Sequence, residues 1–210
     1  MARAGLSREV VVAQAAAIAN EIGFEHLTLA EVAERLGVKL PSLYKHITSL
    51  DGLRRDLAVA ATRELADTLA EATVGRAGTD ALRAAADAYR SFAVAHPGRY
   101  AATVRAPGPD DAEHTAVSDA VLRVVFAVLS GYGLAGDDAI DAARALRAAM
   151  HGFVTLESGG GFAMPRDLER SYHRLIEGLD QVLRGWAIPA GGRELRRAPG
   201  KAPRRRHPAA

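Results

Sequence analysis

The 210-residue sequence predicts an all-α protein of about nine helices. Apolar residues recur at helical spacing along nearly the whole chain. No proline interrupts the chain between Pro41 and Pro97. The apolar run at 121–129 has β propensity, but no second run is available to pair with it, so it is also predicted to be helical.

Three short helices are expected at the N-terminus. The first spans 7–22, with Ser7 as its N-cap. Thr28 and Glu31 have the spacing of a capping box and begin the second helix, which ends at Gly37. Pro41 suits the first turn of the third helix, because its missing N–H needs no partner there.

The longer helices follow. Leucines and alanines at steps of four predict a fourth helix over about 50–74, which links an N-terminal domain (1–50) to a C-terminal one (51–190). The remaining segments are predicted as helices at 79–95, 112–130, 137–158 and 165–187, with a short segment at 98–105.

Composition and charge exclude several classes of protein. The chain has no cysteine, which excludes disulfides, thiolate metal ligands and cysteine catalysis. It has no apolar run of roughly 18 residues and no signal-like segment at 1–8, so we expect a cytoplasmic protein without a membrane partner. The net charge of +2 combines a tail at 193–210, with seven basic residues and one acid, and a body with 20 basic and 24 acidic residues. The basic tail at 191–210 is expected to be disordered, and it either solubilises the chain or attracts nucleic acid.

The second and third helices have the pattern of a helix-turn-helix. Gly37 allows the chain to reverse sharply, and Val38 fills the angle between the helices. In this motif the second helix enters the major groove of DNA. Its exposed face would carry cations, a hydroxyl, a phenol and an imidazole, which suit base edges and phosphates: Lys39, Leu40, Ser42, Tyr44, Lys45 and His46.

The segment 36–47 reads Leu-Gly-Val-x-x-Pro-Ser-Leu-Tyr-x-His-Ile and resembles the DNA-binding signature of the tetracycline-repressor (TetR) family. The resemblance covers about residues 7–60. It implies a DNA-binding domain of three helices with residues 39–46, including Pro41, as the recognition helix. It also implies phosphate or backbone contacts for Thr28, Tyr44 and His46, whereas Leu50 departs from the family pattern. Residues 1–60 carry seven basic and seven acidic residues, so binding would depend on a few well-placed cations.

The segments 95–100 and 149–157 resemble parts of the ligand-binding and dimerisation domain of one TetR subgroup. This implies a central cavity and a dimer interface built from the last two long helices. Side chains with apolar bodies and polar tips are candidates for the cavity wall. The candidates are Tyr89, Phe92, His96, Tyr100, Phe126, Met150, His151 and Phe153. His151 is the strongest candidate, the alternative being a buried histidine bonded to a backbone carbonyl.

The last two helices carry a coiled-coil-like apolar seam. It consists of Leu146 and Ala149 on one helix and of Leu168, Tyr172, Leu175, Leu179, Val182 and Trp186 on the other. Two such helices from each of two chains can form a four-helix bundle. The same spacing fits residues that face the chain's own core, so periodicity leaves both arrangements open, and the family resemblance favours the homodimer.

Enzyme motifs are not found. The seven histidines show no metal-binding spacing, and there is neither a nucleophile elbow nor a phosphate-binding glycine loop. We therefore expect no catalysis, no metal and no cofactor. The expected function is a homodimeric repressor that leaves a pseudo-palindromic operator in double-stranded DNA when an unknown small molecule binds. The alternatives are a TetR-like DNA binder gated by a protein partner or without an inducer, and a helical interaction module.

Overall fold

The computed structural model describes residues 5–186, and in this range it contains nine α-helices and no strand. The helices are α1 (Arg8–Ile22), α2 (Leu29–Leu36), α3 (Leu40–Leu43), α4 (Leu50–Thr73), α5 (Gly78–Ala95), α6 (Pro97–Ala102), α7 (Ala112–Ser130), α8 (Gly136–Ser158) and α9 (Leu168–Trp186). The prediction of an all-α protein is confirmed, α7 included. The predicted basic tail lies outside the described residues. No helix within 5–186 has both the length and the hydrophobicity that a membrane span requires.

Side-chain caps mark the start of several helices. Ser7 Oγ accepts a hydrogen bond from the backbone N–H of Val10 (3.3 Å), and Thr28 Oγ1 accepts one from Glu31 N–H (3.2 Å). Helix α9 begins three residues later than predicted, because Asp167 Oδ1 accepts from the N–H of Glu169 at 2.8 Å.

Helix α3 is shorter than the predicted segment 39–46. Only Leu40–Leu43 are helical, and residues 44–46 continue as a turn in which His46 N–H donates to Leu43 O (2.8 Å). The chain leaves the helix here because it must reach Ser49, which has an extended backbone and caps α4.

Three clusters of buried apolar residues form the core of the described chain. The N-terminal core lies among α1, α2, α3 and the first half of α4, and it includes Ile18, Leu43 and Leu57. The C-terminal core lies among α5, α7, α8 and α9, around residues such as Leu129 and Ile176. The third cluster lies among α4, α5, α6 and α8 and includes Leu65, Phe92 and Val154. Since 24 helical residues span about 36 Å, α4 runs continuously from the N-terminal core to this third cluster.

Candidate functional site

The α2–α3 unit presents one face of α3 to solvent. Gly37 adopts the left-handed conformation (φ 65°) that ends α2, and Val38 N–H donates to Ala33 O (3.0 Å). Leu43 and Ile47 are buried in the N-terminal core and fix the rotation of α3 about its axis. The opposite side of α3 must therefore point outward.

This outward side carries most of the residues predicted to contact DNA. Lys39, Leu40, Pro41, Tyr44 and Lys45 are exposed, and the Tyr44 side chain has 54% of its surface free. Neither Lys39 nor Lys45 has an ion-pair partner among residues 5–186. Both ammonium groups are thus available for an anionic partner. We call Lys39, Tyr44 and Lys45 the α3 surface.

The other predicted DNA contacts lie beside the α3 surface. Ser42 and His46 are half-buried. Thr28 is exposed at the start of α2, where its oxygen caps the helix while its hydroxyl hydrogen remains available to a phosphate. Leu50 packs against the N-terminal core, and the neighbouring Ser49 Oγ accepts from Gly52 N–H (2.9 Å).

A cavity of about 260 Å³ lies among α4, α5, α6, α7 and α8. Most of its wall is aliphatic, with valines from one face of α7 opposite leucines of α4. A polar chain lies at one part of the wall: Tyr89 Oη is 2.7 Å from Tyr100 Oη, which is 2.6 Å from His151 Nδ1. Burial raises the pKa of Tyr89 and Tyr100, so both phenols stay protonated and can donate hydrogen bonds.

Four of the eight predicted cavity residues line this cavity, namely Tyr89, Tyr100, Met150 and His151. The histidine is bonded to a tyrosine side chain, not to a backbone carbonyl.

The other four predicted cavity residues lie elsewhere, which corrects the prediction for them. Phe92 is buried between helices, and its ring packs edge-on against the His96 ring at the α5–α6 junction. Phe126 lies on the outer side of α7, 37% exposed. Phe153 packs against Phe162 and Tyr172. An aromatic residue on a helix is equally suited to a core, a surface or a cavity, and composition does not distinguish these.

Sequence reasoning missed two polar residues of the cavity wall. Arg147 lines the cavity from α8, one turn before His151. Its i, i+4 spacing from His151 was the signal that could have identified it. Thr62 lines the cavity from α4, and its buried hydroxyl has no hydrogen-bond partner among the described residues. No sequence pattern marked Thr62, a single threonine within a helix, as a cavity residue.

The predicted seam on α8 and α9 divides into two groups. Ala149, Leu168, Leu175 and Leu179 are half-buried, and Val182 and Trp186 are exposed, so these six leave apolar surface for a partner. Leu146 and Tyr172 are 4% and 0% exposed in the isolated chain. Their assignment to a dimer interface is therefore wrong: Tyr172 packs in the C-terminal core and its hydroxyl donates to Ala86 O (2.8 Å).

Helix α6 connects the cavity to α1 and the N-terminal core. Tyr100 faces the cavity, whereas Ala102 is buried in the N-terminal core. Gly98 lies against the backbone of Ala19 in α1, and Arg99 N–H donates to Asn20 Oδ1 (3.0 Å). A displacement of Tyr100 would therefore be transmitted directly to α1.

Ion pairs connect the first turns of α4 to the start of α7. Arg55 Nε donates to Asp111 Oδ2 (2.7 Å), and its Nη1 lies 2.8 Å from Glu113 Oε2. Arg105, in the segment between α6 and α7, pairs with Asp51 (2.8 Å). The bond from Arg55 holds the pKa of Asp111 below its usual range, so this carboxylate stays ionised and also caps α7 through His114 N–H.

His114 makes the stability of this junction sensitive to acid. Its ring is buried, Nε2 has no partner within the described chain, and Nδ1 lies 4.0 Å from Asp111 Oδ2, with Arg55 and Arg105 acting against protonation. Burial lowers the pKa of His114 below its ordinary value of 6.5. The unfolded chain therefore binds a proton more readily, and the free energy of unfolding should fall as the pH drops below about 6.5.

Urea unfolding between about pH 7.5 and 5.5 measures this effect. We expect the wild type to lose more stability over this range than His114→Leu, which removes the titrating group and keeps a side chain of similar size in the buried position. Equal losses in the two proteins would contradict this role of His114.

Known proteins resemble the chain in both sequence and fold. Residues 82–179 match the family described as the tetracycline repressor-like C-terminal domain. An uncharacterised HTH-type transcriptional regulator of Mycobacterium tuberculosis is 44% identical over 158 residues, which cover 75% of this chain and 72% of that protein. A second such regulator, from Bacillus subtilis, is 35% identical over 170 residues, or 80% of this chain and 88% of that one. The solved structure of TetR from Acinetobacter baumannii shares the fold, with a TM-score of 0.63 at 21% identity over 86% of this chain and 98% of that one.

Proposed function

The chain belongs to the TetR family of transcriptional regulators, and on that premise we propose that it is a ligand-responsive repressor. In this proposal residues 1–50 bind operator DNA, and residues 51–190, described up to 186, bind the ligand and dimerise. The observation that carries the proposal is the α3 surface, where an exposed tyrosine and two lysines without an ion-pair partner among residues 5–186 flank a short helix anchored by buried Leu43. A protein of this kind works beside the chromosome, in the cytoplasm.

A homodimer would place two α3 surfaces on one face of the assembly. The half-buried and exposed apolar residues of α9, with Ala149 of α8, supply a surface for a two-fold four-helix bundle. A two-fold axis matches a pseudo-palindromic operator whose half-sites lie about one helical turn of DNA apart, roughly 34 Å, or a multiple of it.

Release from DNA would be a population shift. A ligand that contacts Tyr100 acts on α6, which is packed on α1, and a ligand that contacts Thr62 acts on α4. The ligand must bind the DNA-incompetent arrangement better than the DNA-bound one, or it changes nothing. The relatives are transcriptional regulators, and their names give no support to an enzymatic function.

Substitutions on the α3 surface test the DNA contact. Tyr44→Ala and Lys45→Ala should each weaken operator binding by about 1–3 kcal/mol without lowering stability, because both side chains are exposed. Gel shifts with the protein's own upstream region measure the affinity. Arg83→Ala is the matched control, since it removes an exposed cation from α5 in the other domain. Wild-type affinity in both α3 variants would contradict the assignment.

A further inference from the structure

The wall of the cavity carries positive charge and no negative charge. Its lining includes Arg105, Arg147 and His151, and it includes no aspartate or glutamate. Arg105 is neutralised by Asp51 at 2.8 Å. Arg147 has no ion-pair partner among residues 5–186 and reaches solvent at its outer side. One uncompensated cation therefore borders an otherwise apolar space.

The cavity wall that carries Arg147 also carries hydrogen-bonding groups. Arg147 lines the cavity from α8, one turn before His151, and Tyr89 and Tyr100 line the same cavity from α5 and α6. When His151 Nδ1 carries a proton, it donates to Tyr100 Oη and Tyr100 donates to Tyr89 Oη, so the Tyr89 hydroxyl hydrogen is free for an added acceptor. A guanidinium and a phenol donor on the wall of one cavity match a carboxylate, which accepts several hydrogen bonds and pairs with arginine in a planar geometry.

The rest of the cavity excludes a strongly polar ligand. Its walls are aliphatic side chains of four helices, among them Leu65, Leu69, Val121, Val125 and Met150. The volume of about 260 Å³ lies just below the range of about 300–1,000 Å³ for drug-sized ligands. The buried Thr62 hydroxyl on α4, which has no hydrogen-bond partner within residues 5–186, adds one polar atom.

We propose that the cavity binds a small monocarboxylate with an aliphatic or aromatic body, its carboxylate held by Arg147 and the Tyr89–Tyr100–His151 chain. This deepens the proposed function, because it names the chemical class of the effector. An ammonium ligand of the same size would be repelled by Arg147 and would find no acid to pair with. A neutral alcohol would fill the apolar space without engaging the cation.

Three probes with one apolar body and different charges test the proposal: octanoate, 1-octanol and octylammonium. Methionine methyl groups labelled with ¹³C report binding, because Met150 lines the cavity while Met164 is 84% exposed and serves as the internal control. Octanoate should shift the Met150 signal alone and bind at least about tenfold more tightly than 1-octanol. Octylammonium should bind most weakly.

Variants of Arg147 test whether its guanidinium is the cation that binds the carboxylate. Arg147→Gln should reduce octanoate binding to the level of 1-octanol, and Arg147→Lys should keep part of the preference. The proposal is overturned if octanoate leaves Met150 unshifted, if 1-octanol or octylammonium binds as well as octanoate, or if Arg147→Gln keeps the full preference.

The measurements distinguish an error in the proposed ligand class from an error in the proposed function. Operator binding is measured by gel shift on the wild type without any probe. Specific DNA binding together with no preference for octanoate removes only the ligand class. A preference for octanoate without specific DNA binding removes the regulator function and leaves the carboxylate site in place.

Discussion

Gly98→Ala is expected to destabilise the folded chain by about 3 kcal/mol and to weaken operator binding. A Cβ at this position would lie 2.0 Å from the carbonyl oxygen of Ala19 and 2.5 Å from the backbone nitrogen of Asn20. Because both are backbone atoms of α1, no side-chain rotation relieves the overlap. Helix α6 must move away from α1, and the bond from Arg99 N–H to Asn20 is lost.

Urea unfolding and gel shifts on the same samples measure both effects. Ala101→Ser is the matched control, since it also adds one heavy atom to α6 but at an exposed position. The control should keep wild-type stability and affinity. A Gly98→Ala protein that is as stable as the control and binds the operator equally well would show that the close α6–α1 contact is not required.

Tyr172→Ala is expected to lower the free energy of unfolding by about 3–5 kcal/mol, because it opens a cavity in the C-terminal core. Tyr172→Phe keeps the ring and removes only the hydrogen bond to Ala86 O, so it should lose about 1 kcal/mol.

The concentration dependence of unfolding separates a core role for Tyr172 from an interface role. A core residue lowers stability at every protein concentration, while an interface residue acts through dissociation. If Tyr172→Ala unfolded like Tyr172→Phe, or if its effect disappeared at high concentration, the placement of Tyr172 in the core would be wrong.

Most of the fold could be predicted from patterns within short segments of the sequence. Ser7 and Thr28 begin helices through their side-chain oxygens and Gly37 ends one through its backbone, and all three bonds involve only nearby residues, so these helix ends could be predicted from the sequence. The α3 surface followed from the same logic, because Leu43 and Ile47 had to be buried.

Features that depend on how helices meet were predicted less well. The seam on α9 mixes Tyr172, which faces the core, with Val182, which faces outward, because a step of three or four residues fits either face. Thr62 lines the cavity only because α4 packs around the same space as α5, α7 and α8. The spacing of residues along one helix does not show which other helix packs against it.

The most direct test of the account is the selection of DNA fragments of the source genome by the purified chain at moderate salt, followed by sequencing. The account predicts enrichment of a pseudo-palindromic site, lost in a double variant carrying Lys39→Ala and Lys45→Ala. Absence of any sequence enriched by the wild type over that variant would contradict DNA reading by α3 and would favour a helical interaction module.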